Sequence, residues 1–198
     1  MSGYDLARYY LAVVILVSVP GAVLFWFPIH PFAAFWRRAG VGFAYLVGFG
    51  VMIVAGVLLF LFREPLLAVD FGASRATAGA GLVLLIVAAV LRHSWRKQLK
   101  VSVLFGLPEL APDRCPTKLL TEGIYARVRH PRYFEFCLGG LGAALVSNYL
   151  AAYVAVILTI AGLAALVPFE ERELEERFGD EFREYRRRVP AIIPRLRR

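Results

Sequence analysis

The chain has 198 residues, 59% of them hydrophobic and 19% charged, with a formal net charge of +8. That length suits one domain, or two small ones. Cys115 and Cys137 lack a CxxC spacing and sit in unlike surroundings, which argues against both a structural disulfide and a metal site.

Taken in chain order, Tyr9 to Trp36 is the first run without a charge, if His30 is counted as neutral. It predicts a helix over about residues 6–27, bent near Pro20-Gly21 and left at His30-Pro31. Only Asp5 and Arg8 precede it, and four further hydrophobic segments follow, so a retained span is expected rather than a cleaved signal peptide. Val41 to Phe62 holds 22 uncharged residues and predicts a second helix ended by "REP". A third is expected over residues 75–92, continuing as a wetter helix through "RHSWRKQLK". Residues 106–123, "GLPELAPDRCPTKLLTEG", contain three prolines and read as a loop.

Phe136 to Phe169 is then uncharged for 34 residues. As one helix it would measure about 51 Å, against a hydrocarbon core of about 30 Å. Split at "VSNYL", it becomes two helices over 134–147 and 151–168, with Ser147 and Asn148 as turn residues. Charge counting supports the split. With five spans, residues 28–40, 92–134 and 169–198 share one side and carry 20 of the 23 Lys and Arg residues, leaving Arg8, Arg63 and Arg75 opposite. Basic loops stay cytoplasmic, so the N-terminus is expected outside and the C-terminus in the cytoplasm, across a cell inner membrane. With four spans the basic loop and the basic tail would fall on opposite sides.

The fold class is therefore all-α: a polytopic membrane helical bundle of about five transmembrane helices with a cytoplasmic C-terminal amphipathic segment. Gly139, Gly140, Gly142, Ala143 and Ala144 form a small-residue face suited to close helix packing within the subunit, with dimerisation as the alternative use. Oligomeric state is left open. The positive charge tracks the cytoplasmic face and is diluted there by 12 acidic residues. Membrane lipids are thus the expected partner, and nucleic acid is not.

Two charged tracts carry the chemistry. In "GIYARVRHPRY" (123–133), Arg127, Arg129, His130 and Arg132 crowd a membrane entrance, and Pro131 is placed to start a helix. The helix's free amides then lie near His130, where a carboxylate or phosphate is favoured. A plain positive-inside flank is the simpler account of this tract alone. The second tract, "PFEERELEERFGDEFREYRRRVPAIIP" (168–194), repeats Leu174, Phe178, Phe182, Tyr185 and Val189 at three- or four-residue spacing. It predicts an amphipathic surface element broken near Gly179. Pairs such as Glu173 with Arg177 support one another across a turn. Glu170 and Glu171 come directly after the uncharged run, where a carboxylate must be paired, hydrated or used. A helical hairpin between the tracts brings His130 and Glu170 together, in a pocket with a cationic end, an acidic end and an apolar wall.

The ordered pair of tracts, over roughly residues 90–198, resembles the family of membrane methyltransferases that contains isoprenylcysteine carboxyl methyltransferases and bacterial phospholipid methyltransferases. The resemblance implies an S-adenosylmethionine site at the cytoplasmic face and a hydrophobic or lipid-like substrate entering from the membrane. It places His130, Tyr133, Glu170 and Glu171 at the cofactor site, with Tyr125 and Arg129 beside them and Arg177 on the polar wall. His130, Glu170 and Glu171 are the candidate catalytic residues, and no metal is expected. Residues 1–92 then read as an N-terminal three-span region without a comparable signature, and 93–198 as the catalytic region. Relatives often carry glycine two residues after the tyrosine of "RHPxY"; here it is Glu135. The acceptor, a carboxylate, amine or thiol, is not specified. An NADPH-dependent sterol-type reductase and a non-catalytic membrane scaffold are the alternatives.

Overall fold

The computed structural model describes residues 2–99, 101–111, 114–115 and 117–194, without the side chains of Val101 and Leu104. Lys100 of the expected wetter extension, Pro112, Asp113 and Pro116 of the proline-rich loop, and residues 195–198 of the basic tail lie outside the described residues.

The helices are α1 (Gly3–Ser18), α2 (Gly21–Trp26), α3 (Ala33–Ala39), α4 (Val41–Leu61), α5 (Arg63–Leu66), α6 (Arg75–Arg96), α7 (Val101–Leu104), α8 (Leu107–Leu110), α9 (Pro131–Ser147), α10 (Leu150–Phe178) and α11 (Asp180–Arg188). Four helical stretches, Gly3–Ala39, Val41–Leu61, Arg75–Arg96 and Leu150–Phe178, are long and apolar enough to cross a membrane. The shorter α9, of 17 residues, forms the expected hairpin with α10 but is not among those four; the expected count was about five. The chain is an integral membrane protein, and large apolar side chains such as Leu46, Ile86 and Leu158 are correspondingly exposed on the outer faces of α4, α6 and α10.

Local chemistry sets the breaks. Ser2 caps α1 in a reciprocal capping box with Asp5. Pro20 interrupts the first helix at the expected bend, and α2 restarts at Gly21. Asn148 closes α9 in a left-handed conformation, with φ 59°. Its side-chain amide donates to the carbonyl of Gly72 at 2.9 Å and accepts from Tyr153 OH at 2.8 Å. The largest departure from expectation is at Pro168. A helix ending there was anticipated, yet α10 runs on to Phe178 with Pro168 inside it. Proline lacks an N–H and opposes the preceding turn, but packing on both sides carries the helix through. Leu166 and Val167 are buried just before it, and Glu171 and Glu173 just after.

Polar contacts mark the two ends of the bundle. At one end the start of α1, the 62–74 connection and the α9–α10 turn meet: Arg8 pairs with Asp70 and donates through Nε to the carbonyl of Ser147 at 3.0 Å. The backbones of Val69 and Phe71 hydrogen-bond to Leu150 and Asn148. At the other end the exit of α2, the entrance of α9 and the extension of α10 converge.

The small-residue face of α9 is used inside the subunit. A Cβ on Gly142 would lie 2.8 Å from the carbonyl oxygen of Gly81 on α6, and one on Gly140 would lie 3.3 Å from Val156 on α10. Lipid competes with apolar side chains for contact, so helices associate through close backbone approach. Conversely, a Cβ on Gly81 would meet the Gly142 carbonyl at 2.5 Å, a backbone atom that cannot swing aside. Gly81→Leu is expected to destabilise the detergent-solubilised protein by roughly 1–3 kcal/mol through overpacking. Gly79→Ala, where nothing lies within 4 Å, serves as the neutral control. Unfolding in mixed detergent reads the difference.

Candidate active site

The segment before α9 is held by the tail rather than by its own helix. Residues Gly123–Ala126 make one 3-10 turn. Tyr185 OH donates to the Tyr125 carbonyl at 2.7 Å. The backbone N–H of Arg129 donates to the Pro190 carbonyl at 2.9 Å, and that of His130 to Ala191 at 2.8 Å. Phe182, Tyr185 and Val189 form the small core beneath this contact. Burial pushes the Tyr185 hydroxyl up to about 12, so it remains a protonated donor.

Against this frame α10 presents its carboxylates. Adjacent helical residues point about 100° apart, so Glu170 and Glu171 leave on different faces. Glu170 Oε2 lies 3.2 Å from His130 Nδ1, and Oε1 lies 3.2 Å from His30 Nε2 and accepts from Tyr133 OH. Glu171 Oε1 meets His130 Nε2 at 3.2 Å and accepts from Arg129 Nε at 2.9 Å and Nη2 at 2.5 Å. Its Oε2 lies 3.2 Å from Arg186 Nε. One helical turn beyond Glu170, Glu173 Oε1 lies 3.2 Å from His30 Nδ1. The result is a continuous chain, buried except for the partly exposed Glu170: Glu173, His30, Glu170, His130, Glu171.

Each imidazole faces carboxylates through both nitrogens, and only the protonated ring can donate at both. Burial opposes the charge on His130, but its bonds to Glu170 and Glu171 outweigh that cost and hold its pKa above the usual value.

Beside the chain opens a cavity of about 470 Å³, within the range of small-ligand sites. Of the residues expected from sequence, Tyr125, Arg129, His130, Tyr133, Glu170 and Arg177 line it. Glu171 sits behind the wall and holds Arg129 and His130. Arg177 is tied to Thr117 and lies 3.6 Å from Glu109.

Three wall residues escaped sequence reasoning: His30, Glu173 and Glu109. His30 looked like an exit residue beside a proline, Glu173 like half of a surface pair with Arg177, and Glu109 like part of a loop. The three-residue spacing from Glu170 to Glu173 was the available cue, and it became readable only once α10 was known to continue. Three buried acceptors on this wall, Glu109 Oε2, Glu173 Oε2 and Gln98 Oε1, have no hydrogen-bond partner among the described residues. Burial raises the pKa of Glu109.

Removing the charge of Glu171 leaves Arg129, itself only 10% exposed in its side chain, without its carboxylate. Glu171→Gln is therefore expected to weaken docking of the tail by about 3 kcal/mol, read as faster tryptic cleavage within α11. Glu184→Gln, which touches only the exposed Arg188, leaves the rate unchanged. The raised His130 pKa fixes the sign of a pH effect. Its stabilisation is complete below about 6.5 and is lost as pH rises through the folded-state value. The thermal midpoint should decline over that window, and less steeply in His130→Gln.

The chain is 35% identical over 78 residues to protein-S-isoprenylcysteine O-methyltransferase B of Arabidopsis thaliana, covering 39% of this chain and 40% of that protein. To the Schizosaccharomyces pombe protein-S-isoprenylcysteine O-methyltransferase it is 36% identical over 77 residues, covering 38% of this chain and 33% of the relative. To methanethiol S-methyltransferase 1 of Bradyrhizobium diazoefficiens it is 35% identical over 98 residues, covering 46% of this chain and 33% of the relative. The matched part thus spans only about a third to two fifths of these relatives. No solved structure matches the chain. The phospholipid methyltransferase family matches residues 76–181, just over half of the chain and the stretch holding nearly all of α6, the hairpin, and Glu170, Glu171 and Glu173 of α10. The chain belongs to the phospholipid methyltransferase family.

Proposed function

We propose that the protein transfers a methyl group from S-adenosylmethionine to an oxygen, nitrogen or sulfur nucleophile on a hydrophobic, membrane-associated molecule. The observation that carries this reading is the cavity beside the buried carboxylate–histidine chain, at the end of the bundle where the basic residues gather. S-adenosylmethionine, when bound, supplies an electrophilic methyl on a sulfonium, so orientation and restricted water are the main demands on the protein.

The wall suits such a ligand. Glu173 Oε2 is a buried carboxylate oxygen without a protein partner among the described residues, placed to accept from an ammonium. Glu109 Oε2 and Gln98 Oε1 offer two more acceptors for amine or hydroxyl donors. Arg132 and the protonated His130 supply positive charge for a carboxylate. The faces of Trp26, Tyr125 and Tyr133 favour a sulfonium over water.

Each residue then has a role. His130 and Glu170 contact the ligand. Glu171 acts from behind as a positioning residue, because its oxygens are committed to His130, Arg129 and Arg186. His30 has the same kind of role toward Glu170 and Glu173, although it lies outside the matched residues 76–181. We read residues 93–198 as the catalytic region and 1–92 as its membrane support, with His30 and the Trp26 ring stacked on it reaching across.

A carboxylate acceptor arrives ionised and needs no base. An acceptor with an apolar body reaches the cavity from the bilayer, in keeping with relatives named for isoprenylcysteine and methanethiol. We read this end of the bundle as cytoplasmic and the N-terminus as outside an inner membrane, because basic loops stay on the cytoplasmic side. The match to the phospholipid methyltransferase family favours methyl transfer over the reductase alternative.

Calorimetric titration of S-adenosylmethionine into the detergent-solubilised protein tests the reading. Binding is expected in wild type and in Arg38→Gln. Glu173→Gln removes a charge-assisted bond of about 1.5–3 kcal/mol and should weaken affinity at least about ten-fold. His30→Asn should follow it by releasing both carboxylates. No binding to folded wild-type protein would sink the proposal. With binding in hand, labelled methyl transfer to an isoprenylcysteine and to methanethiol separates the acceptors.

A further inference from the structure

A second cavity, also about 470 Å³, lies between α9 and α6. Its origin is geometric. The two antiparallel helices touch through backbone at Gly81 and Gly142, where an added Cβ would meet a carbonyl oxygen at 2.5–2.8 Å. Toward the polar end they ease apart: a Cβ on Gly139 would lie an ordinary 3.5 Å from Ala88. Leu85, Ala88, Ala89 and Gly139 line the apolar part of the resulting groove.

Its polar part is unusually basic. Arg92, His93 and Arg96 stand on the last turns of α6 and Lys97 follows as its C-cap; Arg92 and Arg96, four residues apart, are neighbouring like charges. Against three permanent positive charges the groove holds one carboxylate, Glu135, which is buried at 4% exposure. Arg92 uses Nε, at 3.0 Å, and Nη2, at 2.7 Å, on the same Glu135 oxygen. Arg96, Lys97 and His93 have no ion-pair partner among the described residues. On the tail, by contrast, Arg129, Arg183, Arg186 and Arg188 all face carboxylates. Helix-end placement favours basic residues, but it accounts neither for a groove beneath them nor for a buried glutamate that fixes one of them.

We propose that this groove binds an anionic phospholipid, its phosphate among Arg92, Arg96 and Lys97 and an acyl chain along Leu85, Ala88 and Gly139. The charge is complementary, the position is the membrane boundary, and the apolar part runs from there toward the bilayer interior, where an acyl chain lies. Glu135 is a positioning residue for Arg92. This site is separate from the reaction cavity and does not depend on what that cavity does.

Native mass spectrometry of the full chain in detergent, where no bilayer surface potential acts, tests it with phosphatidylglycerol, phosphatidylcholine and inorganic phosphate as probes. One phosphatidylglycerol should be retained in preference to phosphatidylcholine. Arg96→Gln/Lys97→Gln changes only exposed side chains and should weaken retention at least about ten-fold, the loss of one charge-assisted contact to the phosphate. Arg38→Gln/Arg187→Gln removes the same charge elsewhere and should leave retention unchanged. Gly139→Leu keeps every charge and should also weaken it by filling the groove, with the thermal midpoint confirming that the variant folds. Equal retention of the two lipids, equal loss in both double variants, or undiminished retention in folded Gly139→Leu would each overturn the assignment. Displacement by inorganic phosphate at the concentration of the lipid would mean that a free anion, not a phospholipid, occupies the groove.

Discussion

Burying three carboxylates at the end of a membrane helix is costly unless each is paired, and the structure turns on how that pairing is done. Glu170, Glu171 and Glu173 are neutralised by two histidines from distant parts of the chain and by Arg129 and Arg186. The alternation of acid and imidazole draws four pieces together: the exit of α2, the entrance of α9, the extension of α10 and the C-terminal tail. Removing any one member leaves a buried ion, so the cluster is cooperative by construction.

That cluster depends in turn on α10 remaining helical past Pro168. Were the helix to end there, Glu170 and Glu173 would lose their common face, and His30 would have nothing to bridge. With the helix intact, successive residues serve different purposes. One face lines the cavity; the next carries Glu171 to Arg129 and Arg186. Gly179, at φ 56°, then reverses the chain so that α11 returns over the entry segment.

The opposite end of the bundle solves the same problem more simply. Arg8, only 2% exposed in its side chain, spends its donors on Asp70 and the Ser147 carbonyl. The clamp joins α1 to the α9–α10 turn and sets the height at which the hairpin stands. Between the two polar ends, glycine contacts hold α9 against α6 and α10. Helix placement thus comes from close approach in the middle and ion pairs at the ends, with lipid-facing apolar side chains contributing little to choosing partners.

Much of this was legible in the amino-acid order, because membrane insertion reads local properties. Runs of uncharged residues, the bend at Pro20, the turn at Ser147-Asn148 and the break at Gly179 depend on a few neighbouring residues and were found where expected. So were the meeting of His130 with Glu170 and the packing use of the glycines on α9. What tertiary structure alone decided were contacts between segments far apart in the chain. Nothing near His30 announces that it joins Glu170 and Glu173, and nothing near Glu135 announces Arg92. Whether Pro168 ends a helix is likewise settled by packing on both sides of it, since local propensity favours a stop. Composition and periodicity determine which segments cross the membrane; the pairing of buried charges determines which residues form the cavity, because each charge must find its partner in three dimensions.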